Sequence, residues 1–459
     1  MNLNKLRTYK TDTQYSFEGF NKKAIYKNSV ILFIANAGTA VTAFVFAVII
    51  GRFLGKESLG EYAFVISVLF FFLGGTELAL SLQLTRRISQ EPGATNRYLL
   101  GTSIFKLILG LISALLLFLL SNFFFYRQWN VSFCLEIGAV YVIFQSLNLS
   151  LNAVFRSFQR MDLILYLSIV EMFLQLSVGV ICGAMGYSVV CFILILIVVQ
   201  FLKLAGGGSL YFKYFLNIGG RFDVDLNFLR ILWKESLPFA VTAVVGVIYF
   251  KLDVVLLYYI SGKGEAGLYS AITRLIESAK MFPMAYVGTL YPLMAAAVAY
   301  HSSPVARDPS LGTRFTSDKQ QATSDCLRHI FAHSARNLLL FALTASAIFY
   351  VFSDMLVNIT FGSNFSASIP MLKYFSWILI PTVINGLGGT YLFSLGYEGR
   401  VARIIVGGIL LNVLTNLILI PIYGAYGAII ALYFSETAIA IFYLLSIKET
   451  GLIGVQIEH

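Results

Sequence analysis

LILGLISALLLFLL, residues 107–120, decides the fold. A helix that is apolar on every side has no face to offer water, so it belongs in lipid or deep inside a very large protein. The flanking residues extend the run to 99–120. At 1.5 Å per residue, about 20 residues cross a hydrocarbon layer of about 30 Å.

Eleven further apolar runs surround it: 29–51, 61–82, 131–153, 163–182, 186–202, 237–259, 268–300, 335–353, 369–394, 402–420 and 425–447. Lipid offers the backbone no hydrogen-bond partner, so each must be helical. Over 459 residues, 58% are hydrophobic and 12% charged. A soluble domain carries about 25% charged residues, so a soluble fold of this length is excluded. The expectation is an all-α integral membrane chain of twelve transmembrane helices in two six-helix bundles. Its parts are a basic N-terminal segment (1–28), a first bundle (29–202), a linker (203–236), a second bundle (237–447) and a tail (448–459).

Lys and Arg in the connections set the orientation. With the N-terminus inside, the inner segments hold Lys5, Arg7, Lys10, Lys22, Lys23, Lys27, Arg86, Arg87, Arg97, Arg156, Arg160, Lys203, Lys213, Arg221, Arg230 and Lys234. They continue with Arg307, Arg314, Lys319, Arg328, Arg400, Arg403 and Lys448, against Arg52, Lys56, Arg127 and Lys263 outside. That bias, 23 to 4, predicts both termini inside, in the cell inner (plasma) membrane. The net charge of +10 then reads as topology and lipid contact, and no nucleic-acid partner is expected. Residues 1–28 lack the apolar core of a signal peptide and receive no role. Loop 301–334 reads as flexible.

The four cysteines follow no metal spacing, and no disulfide is expected. His329 and His333 sit four apart without a third ligand, so no metal or cofactor is expected. There is no phosphate-cradling loop and no nucleophile elbow, and the chain is not expected to be an enzyme.

The halves echo each other. LGKESLGEYAFVIS (54–67) and ISGKGEAGLYSAIT (260–273) align Lys56, Gly60 and Tyr62 with Lys263, Gly267 and Tyr269 at an offset of 207. VFRSFQR (154–160) aligns with LFSLGYE (392–398) at 238, which also brings Gly186 onto Gly424. With six spans per half, the repeat is parallel about an axis along the membrane normal.

GRFLGKESLGEYAFVIS (51–67), KLDVVLLYYISGKGEAGLYSAITRL (251–275) and LTNLILIPIYGAYGAIIALYFSE (414–436) together resemble a known family. It is the Wzx-type polysaccharide flippases of the multidrug/oligosaccharidyl-lipid/polysaccharide exporter superfamily. The similarity runs from about residue 25 to 447. The resemblance implies a V-shaped pair of bundles around a cavity. It also implies movement of a polyprenyl-pyrophosphate-linked oligosaccharide from the inner to the outer leaflet by alternating access. The partners would be membrane lipids, the lipid-linked oligosaccharide and polysaccharide polymerase or assembly proteins. The alternatives are a drug or cation antiporter of the same superfamily, a peptidoglycan-precursor flippase, and a membrane glycan polymerase or ligase.

Charges inside spans cost about 2.5–3.5 kcal/mol on insertion scales, so they face a cavity or a partner. The candidate substrate-binding cations are Arg274, Lys280, Lys251, Lys106, Lys373 and Arg52. Arg274, Glu277 and Lys280 share one face of the eighth span at spacings of three. At offset 207 their counterparts are Ser67, Phe70 and Leu73, so this stripe belongs to one half only. It reads as a phosphate-binding face or as an internal ion pair. Lys251 and Asp253, two apart, should face different sides. The candidate coupling acids are Glu77, Glu136, Glu171, Asp253, Glu277 and Glu436. Pro283, Pro292 and Pro381 read as hinges or as static kinks.

Overall fold

The structure, a computed structural model, describes residues 22–125, 128–223, 251–302 and 313–449, with 230, 234 and 246 as isolated helical positions. Most of segment 1–28 and of the seventh span (237–259) lies outside the described residues. So do parts of the linker, of loop 301–334 and of the tail.

Among the described residues every regular element is helical. α1 (Lys22–Glu77) is broken into two arms at Gly55, whose φ of 84° only glycine adopts cheaply. α2 (Leu80–Gln90) follows two left-handed residues, Leu78 and Ala79. Then come α3 (Thr95–Phe124), α4 (Trp129–Ser157), α5 (Met161–Ala184) and α6 (Val189–Tyr214). The end of α7 is helical over 251–261. α8 (Lys263–Ser302), α9 (Thr313–Val351), α10 (Ser353–Thr360), α11 (Ser368–Phe375), α12 (Leu379–Ser394), α13 (Glu398–Tyr423) and α14 (Ala425–Glu449) complete the chain. Eight helical runs among the described residues are long and apolar enough to cross a membrane.

Three expectations need correction. The span expected at 61–82 stops at Glu77, and the polar run LSLQLTRRISQ forms the separate amphipathic helix α2. The loop expected over 301–334 is helical from Thr313, because the breakers Pro304, Pro309 and Gly312 all precede that point. The span expected over 369–394 is interrupted just before Pro381. Pro381 lies in the first turn of α12, after a 3₁₀ turn at Ser376–Ile378, where a missing N–H costs little.

The stretch 107–120 shows how membrane packing works. Leu111, Leu115 and Phe118 are more than half exposed, toward lipid. Gly110, Ser113 and Leu117 face inward, and a Cβ on Gly110 would meet Ile143 at 2.8 Å. Small residues let helices approach where lipid gives no hydrophobic drive.

α1 packs on α3, α4, α5 and α6. α8 packs on α9, α11, α12 and α14. The main contact between the two groups is α1 with α8. There the echo seen in the sequence becomes a reciprocal contact. A Cβ on Gly60 would sit 1.9 Å from the Lys263 carbonyl oxygen, and one on Gly267 would sit 1.8 Å from the Lys56 carbonyl oxygen. Gly55 and Gly262, also 207 apart, are both left-handed, at φ 84° and 90°. The later alignment keeps its offset of 238 at Gly186 and Gly424, both at positive φ, but slips by one residue earlier, where left-handed Gln159 matches left-handed Gly396 at 237. Loose apolar sequence fixed the position there only to within a residue.

Candidate functional site

Around the glycine crossing the two groups are sealed by further contacts. Lys263 Nζ reaches Glu57 at 3.0 Å and Glu61 at 3.3 Å. Its hydrogen bond to Glu57 holds the ammonium above the usual lysine pKa. The Phe64 ring stacks on Tyr258 at 4.2 Å between centroids, and the Tyr258 hydroxyl donates to Gln128 Oε1 at 2.9 Å. Arg52 donates to the Asn358 carbonyl at 3.4 Å. Arg52 thus lies at this seal.

Below the seal lies the charged stripe. Arg274 Nη1 is 3.1 Å from Glu277 Oε2, and Lys251 Nζ is 3.6 Å from Glu277 Oε1. The field of Lys280 acts on the same carboxylate. Arg274 and Lys251 therefore share one acid, with Lys280 three residues further along α8. Lys251 also lies 5.9 Å from the centroid of the Phe70 ring, on α1, so the cluster borders both helix groups. Glu277 is nearly half exposed, which makes this an open site. Counting along α8 from Gly267, Arg274 lies about 10 Å and Lys280 about 20 Å from the crossing.

The other cations are elsewhere. Lys373 pairs with Asp354 at 3.2 Å, both well exposed. Lys106 is fully buried and bonds Glu77 (2.6 Å), the Ser81 hydroxyl (2.8 Å) and the Ser146 carbonyl (3.1 Å). Glu77 also accepts from the Ser81 N–H, so one carboxylate starts α2 and neutralises Lys106. This pair holds the left-handed elbow between α1 and α2. Breaking a buried pair from one side costs about 3–5 kcal/mol. Glu77→Gln should lower the thermal unfolding temperature in detergent more than the double change Glu77→Gln with Lys106→Met. Equal losses would mean that the pair contributes nothing as a unit.

The remaining acids differ in their partners. Glu171 is held by Lys203 (2.6 Å) and Gln200 (2.8 Å), and Glu136 accepts from Ser121 at 2.9 Å. Asp253 faces away from Lys251, into the second group. It accepts from Asn416 Nδ2 at 2.7 Å and from the Tyr269 hydroxyl at 3.1 Å, all neutral donors. Glu436 accepts from Asn385 at 2.6 Å. Asn385 and Asn416 each keep a buried side-chain oxygen without a partner. Each of these two carboxylates thus has a neighbouring amide with a spare oxygen. Sequence reasoning found the acids and missed the amides. Their signal was the pair Asn412 and Asn416, four apart within an apolar run. No cluster of three His, Cys, Asp or Glu able to hold a metal occurs among the described residues.

The family model described as "Polysaccharide biosynthesis protein" matches residues 25–298. The chain belongs to that family. Polysaccharide biosynthesis proteins of this kind share their fold with transporters of the MOP superfamily. A curated relative from Haloferax volcanii, named as the probable low-salt glycan biosynthesis flippase Agl15, is 24% identical over 411 residues, covering 88% of this chain and 79% of its own. An inward-facing multidrug resistance MATE transporter superposes with a TM-score of 0.71 at 12% identity, covering 91% of this chain and 96% of its own. The lipid II flippase MurJ, in an inward closed conformation, gives 0.65 at 13%, covering 91% and 87%. A MOP transporter from Pyrococcus furiosus gives 0.65 at 14%, covering 97% and 100%. The all-helical fold with its apolar spans is that of a multi-pass membrane transporter.

Proposed function

We propose that this protein is a flippase carrying a polyprenyl-pyrophosphate-linked oligosaccharide from the inner to the outer leaflet, by alternating access, for polysaccharide biosynthesis. The observation that carries the reading is the pairing of Lys251 and Arg274 with the one acid Glu277, beside the α1 ring Phe70 and with Lys280 three residues further along α8. One carboxylate cannot neutralise three cations, so the site favours an anion. A pyrophosphate supplies the missing charge, with Arg as a bidentate fork and Lys as point charges. The polyprenyl tail stays in lipid. Family membership and the name of the Haloferax relative support the same reading.

The proposed topology has twelve spans in two six-helix halves (29–202 and 237–447), with both termini inside. The seal at Gly60 and Gly267 then lies outside, and the structure is closed on that face. Polymerase or assembly proteins are the proposed recipients of the flipped glycan. The chain is a carrier, and its substrate leaves chemically unchanged.

Asp253 and Glu436 are proposed as the coupling carboxylates, taking a proton or a monovalent cation among the amide oxygens. Hard cations favour oxygen ligands of this kind. Asp253→Asn should lower gradient-driven transport about tenfold while leaving lipid-linked pyrophosphate binding intact, which separates coupling from substrate contact. Unchanged gradient dependence in proteoliposomes would remove Asp253 from the coupling path.

The decisive experiment complements a flippase deletion and assays which leaflet holds the lipid-linked glycan. Relocation of the glycan supports the proposal. A gain of drug resistance without relocation would favour the antiporter.

A further inference from the structure

Cys182 is the third-last residue of α5 and Cys191 the third residue of α6. Their sulfurs stand 2.9 Å apart. A disulfide bond is about 2.05 Å long, so closure needs less than 1 Å of movement. The connection between them is tight. Gly186 is left-handed at φ 71°, and the Tyr187 N–H donates to the Cys182 carbonyl at 3.1 Å. Cys182 is buried at 8% exposure, whereas Cys191 is partly exposed. The two sulfurs thus sit in the last turn of α5 and the first turn of α6, at one end of the hairpin. Cys134 is also buried and free, but has no sulfur neighbour among the described residues.

We infer that Cys182 and Cys191 form a disulfide that staples the outer ends of α5 and α6. The inference rests on the proposed topology, which puts the turn between α5 and α6 (185–188) at the outer side, where disulfides form and persist. The chemistry is ordinary exchange with the disulfide of an extracytoplasmic thiol oxidase. The Cys191 thiolate attacks one oxidase sulfur, making a mixed disulfide and releasing one oxidase thiolate. Cys182, as thiolate, then attacks the Cys191 sulfur, and the second oxidase thiolate leaves. Two S–H bonds break and one S–S bond forms. The oxidase disulfide takes two electrons and two protons to become a dithiol.

The staple has a mechanical role. A Cβ on Gly179 would meet Phe46 at 2.8 Å, and one on Gly183 would meet Phe53 at 2.8 Å, both rings on α1. The α5–α6 hairpin is thus the surface on which the first arm of α1 rests. A bond across its end fixes that surface.

The test is differential alkylation of the full-length protein in native membranes. Free thiols are capped with light N-ethylmaleimide in denaturant, disulfides are reduced, and new thiols are capped with the heavy reagent before peptide mass spectrometry. The expected result is heavy label on Cys182 and Cys191 and light label on Cys134. Cys191→Ser should move Cys182 to the light label. Light label on both cysteines of the unaltered protein overturns the inference. A second variant, Ser188→Cys with Cys182→Ser and Cys191→Ser, separates the two ways of failing. Ser188→Cys blocked by membrane-impermeant maleimide from outside, with both native cysteines light, rejects the disulfide alone. Failure to be blocked rejects the topology beneath it.

Discussion

Gly267→Ala is expected to open the outer face and cut transport at least tenfold. The added methyl would stand 1.8 Å from the Lys56 carbonyl oxygen, a backbone atom that cannot rotate away. The helices must separate or the residue must shift. Overpacking of this kind costs about 1–3 kcal/mol, more where backbone is the obstacle. The cost falls only on the state that makes the contact. An equilibrium between inward- and outward-open forms then moves by about 5–150-fold toward the form that breaks it. Spin labels on Tyr187 and Ser366, on the outer ends of the two groups, should show the longer distance population growing. Gly60→Ala should act alike, since its methyl would meet the Lys263 carbonyl at 1.9 Å. The double change should cost less than the sum, because one gap relieves both clashes. Native distances and native rates in both single variants would show that the crossing does not hold the outer face shut.

The second large effect is at the cationic cluster. Contacts to charged groups are worth about 1.5–3 kcal/mol each, so Arg274→Gln alone should weaken lipid-linked pyrophosphate binding tenfold or more. Lys251→Gln with Arg274→Gln and Lys280→Gln should weaken it at least a hundredfold. Glu277→Gln should do the opposite, because it removes the one acid that competes for Arg274 and Lys251. Titration of undecaprenyl pyrophosphate by native mass spectrometry reads all three. A weakened Glu277→Gln would mean that the acid holds the cations in place. An unaffected triple variant would place the headgroup elsewhere.

Much of this was legible in the sequence, for reasons that differ by residue. The all-helical membrane fold was visible because lipid demands apolar helices, as in the stretch 107–120, although eight runs rather than twelve qualify as spans among the described residues. The arc of Arg274, Glu277 and Lys280 followed from helical spacing. That Lys251 and Asp253 part company followed from their separation by two. Distances across the fold were not legible. Nothing local tells Lys106 that Glu77, 29 residues away, will neutralise it. Nor does spacing distinguish Glu171, held by Lys203, from Asp253, held by amides. The helical start of α9 was hidden because its polar residues carry no periodic apolar stripe. The α2 elbow was hidden because Leu78 and Ala79 adopt a backbone form that their side chains do not announce.

The reciprocal crossing has a genealogical consequence. A half-length chain carrying one such hairpin would own both the glycine and the carbonyl it needs, so two copies could dock face to face. Any charge placed at the interface of that ancestor would have appeared twice and repelled its twin. Fusion of the genes removes the obligation to match. The position equivalent to Glu277 is Phe70, and Lys251 lies between the carboxylate and that ring. Charge asymmetry at the α1–α8 contact is something that two identical copies could not carry.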